Sequence, residues 1–253
     1  MRILVTNDDG LFSEGIRALA DCLRARHEVW VVAPESNRSG VSHGITMYGR
    51  LSFARKGERE FSSSGLPADC AMTGTKGLLP APPDVVISGI NHGANIGTDI
   101  VYSGTAAAAR QAAFEGIPGI AVSLVADGDD ADRSVDERFL WAPLARFVLD
   151  NLETLVSLCE RDVFVNVNAP SLPSYRGARL TGIARREYRD TIALHAEGDG
   201  TLKRTFESSE ILTRGDEDSD WAAVRDGFVS VSRVRAQPVS AGTPAGDPPS
   251  FRV

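Results

Sequence analysis

The chain of 253 residues is 42% hydrophobic and 24% charged, a balance that suits a globular α/β domain and excludes wholesale disorder. With 27 Lys and Arg against 34 Asp and Glu, its net charge of −7 excludes a global basic field for nucleic acid or for an anionic membrane. The longest apolar runs, such as Val29-Trp30-Val31-Val32-Ala33, are too short to cross a bilayer, and no basic region followed by an apolar one opens the sequence; a cytoplasmic location is expected.

In chain order, Met1 to Val5 reads as a strand that runs into Asn7-Asp8-Asp9-Gly10. Glu14 to Arg26 carries Ile16, Leu19, Ala20 and Leu23 at helical spacing, with Ser13 as the expected N-cap. Val29 to Ala33, closed by Pro34, is the apolar run of a parallel strand buried on both faces, and a polar loop, Glu35 to Gly40, follows it. Residues 43–64 alternate around Lys56-Gly57-Glu58 and predict a β-hairpin excursion. Pro67 to Leu79 reads as a short helix opened by proline. Asp84 to Ser88 and Gly119 to Leu124 are further buried strands, separated by an Ala-rich helix, Thr105 to Glu115, that Gly116-Ile117-Pro118 stops.

The stretch 126–137, with five Asp and one Glu, lacks the Gly and terminal Glu positions of an EF-hand and reads as a solvated loop. Phe139 to Leu158 predicts one long amphipathic helix, and Val163 to Val167 a strand. Beyond residue 175 the pattern changes to short strands at Ala178–Ile183, Ile192–Ala196, Leu202–Glu207 and Phe228–Val231, with a helical patch at Asp220–Val224. The expected organisation is a Rossmann-like, doubly wound, mostly parallel α/β core over 1–175. A β-rich C-terminal appendage at 176–240, used as a lid or subunit contact, and a poorly ordered tail at 241–253 complete it. Trp221, Phe228, Val229 and Val231 are expected to bury against a neighbouring subunit.

Three loops that follow core strands lie on one edge of such a sheet. They carry Asp8-Asp9, Ser36-Asn37-Arg38-Ser39-Gly40 and Gly89-Ile90-Asn91-His92-Gly93-Ala94-Asn95-Ile96-Gly97. Their convergence gathers two carboxylates, a hydroxyl and an amide oxygen, hard donors suited to Mg²⁺ or Mn²⁺. Read singly, Asp-Asp-Gly is equally a turn with a capping acid, and the glycine-rich loop a backbone requirement. Ser103-Gly104-Thr105 at a helix start offers amides and hydroxyls to a phosphate, or plain capping. Neither GxxxxGK[ST] nor a GxGxxG after the first strand occurs. Cys22, Cys70 and Cys159 form no CxxC, and His27, His43, His92 and His195 show no ligand spacing, so packed thiols are expected and zinc is not.

Taken together, Asn7-Asp8-Asp9-Gly10, Ala33-Pro34-Glu35-Ser36-Asn37-Arg38-Ser39-Gly40, Pro67-Ala68-Asp69-Cys70, the block from Ser88 to Gly97 and Tyr102-Ser103-Gly104-Thr105 closely resemble the SurE family of metal-dependent nucleotidases. Ser219 to Val224 followed by Gly227 to Val231 resembles the family's last helix and strand, more weakly. The resemblance implies one divalent metal ion, Mg²⁺ or Mn²⁺, on Asp8, Asp9, Ser39 and Asn91. It implies phosphate contacts from Asn95, Ser103, Gly104 and Thr105, and nucleoside 5′- or 3′-monophosphates as substrates, with polyphosphate for some members. It also implies a homo-oligomer, dimer or tetramer, with C-terminal segments exchanged between subunits.

The chain departs from the family pattern at Leu66, where a hydroxyl residue is expected, and at Ser232-Arg233-Val234. The expected chemistry is phosphomonoester hydrolysis by water, with Asp8 and Asp9 as the catalytic acids and Asp8 orienting or deprotonating the water. His92 is either a leaving-group acid or a loop support, and Arg38 either meets phosphate or covers surface. A dehalogenase-like phosphatase needs Asp-x-Asp, and here the acids are adjacent.

Overall fold

A computed structural model describes residues 1–126 and 139–240. Strands β1 (Arg2–Thr6), β2 (Glu28–Pro34), β3 (Phe53–Gly57), β4 (Glu60–Ser63), β5 (Val85–His92), β6 (Gly119–Val125), β7 (Val163–Pro170), β8 (Ala178–Thr181) and β11 (Val229–Arg235) form one nine-stranded sheet. Its order is β3-β4-β2-β1-β5-β6-β7-β11-β8. From β4 to β7 neighbouring strands are parallel. β3 runs antiparallel to β4 at one edge, and β11 antiparallel to β7 near the other. Among the described residues, strands β9 (Arg185–Ala196) and β10 (Leu202–Arg214) pair only with each other, as an antiparallel ribbon.

Helices cover both faces, as the two-sided apolar runs require. Ile3 and Val5 of β1 point to the face covered by α1 (Glu14–Arg24), α4 (Trp141–Asp150) and α5 (Leu152–Ser157), where Ile16, Leu19, Leu144, Val148 and Leu155 complete the main core. Leu4 points the other way, to Cys70 and Ala71 of α2 (Pro67–Thr73) and to Ala108 and Ala112 of α3 (Gly104–Phe114). Each such fully buried aliphatic contributes about 1.5–3 kcal/mol. Because β2 lies on one side of β1 and β5 on the other, the carboxyl ends of β1 and β5 form the switch point at which ligands bind in open α/β sheets.

Several sequence expectations are corrected. The hairpin of 43–64 is confined to β3 and β4, and β4 pairs in parallel with β2, so it widens the main sheet. The long helix of 139–158 is broken at Asn151, whose φ of −113° and ψ of 13° leave the helical region and whose Nδ2 donates to Phe147 O at 2.8 Å. The helix expected from Pro67 to Leu79 ends at Thr73 and continues as one wider π turn, Gly74–Leu78. Ser13 sits at the N-cap of α1 without capping it, because its Oγ accepts from Asn7 Nδ2 at 2.8 Å.

At the C-terminal end, β8 and β11 belong to the nine-stranded sheet, so the boundary expected at 175 does not coincide with the sheet's edge. Val229 and Val231 bury in the chain's own core, and Trp221 packs beside Ile96, Ala184 and Val224. The strands expected at 192–196 and 202–207 are the outer part of a ribbon with 12- and 13-residue arms. The acidic loop from 127 onward and the tail from 241 lie outside the described residues.

Candidate active site at the switch point

The floor of the site is laid by β1. Asn7 turns the chain: its Nδ2 donates to Gly10 O at 3.0 Å and its Oδ1 accepts from Gly10 N at 3.2 Å. This Asx-type turn throws the side chains of Asp8 and Asp9 onto the carboxyl edge of the sheet. Asp8 is 3% exposed, and Thr105 at the start of α3 gives it both its hydroxyl and its backbone N–H. Gly104 permits this approach, since a Cβ there would stand 2.9 Å from Asp8 Cβ. Burial pushes the Asp8 carboxyl up to about 6, against the Thr105 hydrogen bonds and with the Asp9 charge adding to the rise. Asp9 turns Oδ2 toward the backbone N–H of His92 at 3.1 Å, with His92 Nδ1 at 3.6 Å.

The second wall comes from β5 and the loop after it. Asn91 spends Nδ2 on the carbonyls of His92 and Gly93, at 3.3 and 3.0 Å, which leaves Oδ1 as its outward donor atom for a cation. Asn95 is held by four bonds. Its N donates to Asn168 Oδ1 at 2.9 Å, its Nδ2 to Ser123 Oγ at 2.8 Å, and its carbonyl accepts from Asn166 and Asn168 at 2.8 and 3.1 Å. Ser103 caps α3 by accepting from Ala106 N at 3.0 Å, leaving its O–H free to donate.

These pieces surround one cavity of about 250 Å³, lined by Asp8, Ser39, Asn91, His92, Asn95, Asp99, Tyr102, Ser103 and Tyr188 among others. Six of the residues singled out in the sequence therefore meet in it: Asp8, Ser39, Asn91, His92, Asn95 and Ser103. Asp9, Gly104 and Thr105 stand just behind this lining. Ser39 is exposed, its N–H donating to Asn37 Oδ1 at 2.7 Å.

Arg38 is directed elsewhere, its N donating to Asp8 O at 2.6 Å and its Nη2 reaching Ser64 O at 3.4 Å. His92 is boxed by Phe139 and Trp141, at 4.9 and 4.7 Å between ring centroids. Leu66 is outside the cavity lining, beside Gly44. Larger hollows at the opposite edge of the sheet, such as that bounded by Arg2, Arg26 and Arg59, carry none of these residues.

The donor set fits a hard divalent cation. Two adjacent carboxylates, one of them buried, repel each other, and among the described residues the cavity wall holds no lysine or arginine to relieve them. A phosphate dianion entering this cavity meets Asp8, so positive charge has to accompany it.

The sequence reading missed the supports. Asn166 and Asn168 were signalled by two polar residues on one face of the apolar strand Val163–Pro170. Asp220, fully buried, accepts from Gly97 N, Ala184 N and Trp221 N at 2.8, 2.9 and 2.9 Å, and ties the Asn95 loop to the ribbon's root. No local pattern announces that role.

A doubly wound sheet with an oxygen-rich site at its switch point defines a Rossmann-like α/β protein that takes its ligand at the carboxyl edge. Residues 3–190 match the family described as Survival protein SurE. Relatives include the 5′-nucleotidase SurE of Gemmatimonas aurantiaca, 39% identical over 92% of this chain and 91% of that one. The 5′-nucleotidase SurE of Geobacter sulfurreducens is 40% identical over 92% and 87%. The crystal structure of the SurE protein from Aquifex aeolicus aligns with a TM-score of 0.78 at 31% identity, covering 94% of this chain and 95% of that one. The chain belongs to the SurE family.

Proposed function

We propose that the protein is a metal-dependent 5′-nucleotidase, a phosphoric monoester hydrolase that releases phosphate from nucleoside 5′-monophosphates. The observation that carries this reading is the meeting of Asp8, Asn91, Asn95 and Ser103 in one acidic cavity beside a helix N-terminus. The names of the relatives, 5′-nucleotidase in each case, support it. The reading extends to 3′-monophosphates and to the terminal phosphate of polyphosphate, which present the same phosphoryl oxygens.

Asp8, Asp9, Ser39 and Asn91 are the residues to hold Mg²⁺ or Mn²⁺. When bound, the ion supplies Lewis acidity toward a phosphoryl oxygen and acidifies a neighbouring water. Asp8, held in place by Thr105, would orient the attacking water and take up its proton. Asn95, Ser103 and the amides opening α3 receive the phosphoryl oxygens and the charge that develops on them.

Phosphate release from a panel of nucleotides with Mg²⁺ or Mn²⁺, repeated in EDTA, tests the assignment. Release that stops with chelation is expected. No release with metal present, or release indifferent to EDTA, would sink it.

The ribbon supports a homo-oligomer, dimer or tetramer, since Ile192, Leu194, Leu202 and Phe206 are each more than half exposed. Sedimentation of the intact chain is expected to show more than a monomer. Nucleic acid and membrane are not among the expected partners, and among the described residues no helix is long and apolar enough to cross a bilayer.

A further inference from the structure

The floor of the cavity is polar, but two of its lining residues are aromatic. Tyr102 immediately precedes the Ser103 cap, and Tyr188 comes from the root of the ribbon; they are 58% and 42% exposed. The Tyr188 hydroxyl donates to Asp99 Oδ1, and Arg186 Nη1 donates to Asp99 Oδ2. The Tyr188 hydroxyl and both Asp99 oxygens are thereby engaged, so Tyr188 meets the cavity with its hydroxyl already taken.

That surface is also fixed in position. Arg186 N donates to Thr98 Oγ1 at 3.0 Å, and Asp220 bridges the amides of Gly97 and Ala184. Gly97, at φ +60°, has no room for a side chain: a Cβ would stand 2.6 Å from Ala184 O. The ribbon's root and the loop that carries Asn95 are therefore locked backbone to backbone.

We propose that Tyr102 and Tyr188 form a nucleoside platform, on which the base of a nucleotide stacks while its phosphate lies on the floor between Asp8, Asn95 and Ser103. The inference rests on the nucleotidase reading above and adds to it what separates a nucleotide from a sugar phosphate. A floor of carboxylates, amides and hydroxyls treats every phosphomonoester alike. A flat, weakly hydrated ring system gains from an aromatic face, and does so whatever its edge pattern. Stacking of this kind does not depend on the base edge, so the platform selects for a base rather than among bases.

The test compares AMP with ribose 5-phosphate on the Mn²⁺-loaded full chain. Wild type is expected to show a KM for ribose 5-phosphate about tenfold or more above that for AMP, the effect of base stacking on aromatic side chains. Tyr188→Leu and Tyr102→Leu are each expected to shrink that ratio several-fold by raising the KM for AMP alone. Tyr188→Phe deletes only the hydroxyl on Asp99 and should keep the wild-type ratio. If the Phe variant loses the ratio as fully as the Leu variant, Tyr188 acts through Asp99 and the platform is overturned. Equal KM values in a wild type that hydrolyses AMP overturn the platform and leave the nucleotidase standing. A wild type that releases no phosphate from AMP overturns the nucleotidase reading itself.

Discussion

The floor of the cavity grows out of the sheet's interior, whereas the ribbon that supplies part of its wall shows no buried face among its described residues. Asp8, Asn91, Asn95 and Thr105 are all buried, and each is fixed by partners in or beside the core. On the ribbon, Ile192, Leu194, Leu202 and Phe206 are exposed, and order comes from cross-strand pairing and from the clasp at its root. A floor residue is over-determined, so disturbing it affects chemistry and folding together. A ribbon residue can change recognition without disturbing the sheet.

The sharpest way to break this contrast is at the two acids. Asp8→Asn and Asp9→Asn are each expected to lower kcat by about a hundredfold or more and to weaken Mn²⁺ binding measured calorimetrically. Either variant keeping wild-type activity at limiting Mn²⁺ would remove that acid from the floor. Next comes Asp220→Ala, which strands three backbone N–H groups in the interior. It should cost about 2–4 kcal/mol in chemical denaturation and raise KM, because the Asn95 loop loses its tie. An unchanged denaturation midpoint would show that the loop is held without it.

Excising residues 186–213 tests the ribbon. Arg185 and Arg214 are directly paired, so a short turn can join them. The expected outcome is a sheet whose melting temperature moves by only about 3 °C or less, with the affinity for AMP reduced. Loss of the cooperative transition would mean that the sheet depends on the ribbon after all. A smaller effect belongs to Thr105→Val, which removes a hydroxyl from Asp8 while keeping the volume. The Mn²⁺ requirement should rise about tenfold or less, with a stability loss of about 1 kcal/mol in chemical denaturation. A single turnover in ¹⁸O-water should label the released phosphate and leave no label in a peptide containing Asp8 or Asp9. Label in that peptide would make a carboxylate the nucleophile.

The same contrast explains what was legible in the sequence. β1, β2, β5, β6 and β7 announce themselves because strands buried on both faces must be apolar throughout, and the loops leaving them then fall on one edge. The convergence of those loops follows from that geometry, and the resemblance to the SurE family is what singled out Ser39, Asn91, Asn95 and Ser103 within them. The ribbon was underestimated because no face of it is buried, so Arg185 to Thr191 carries no apolar alternation to read. Neither the pairing of β4 with β2 nor that of β11 between β7 and β8 leaves any local trace, since both join residues distant in the chain. The break at Asn151 was hidden because Leu149, Leu152 and Leu155 stay in the core on both sides of it.

The place of β11 governs how this chain is made. Among the described residues β8 meets the sheet only through β11, beginning at Ala178↔Val229, so the ribosome releases β8 long before that partner exists. Until Val229 emerges, the outer edge of β7 is an open hydrogen-bonding edge, a standing invitation to pair with another nascent chain. The intervening ribbon and α6 (Asp220–Arg225) must be synthesised while that edge waits. Stalled nascent chains ending before Val229 should therefore remain sensitive to protease at β8, and those that extend past Arg235 outside the tunnel should become resistant there.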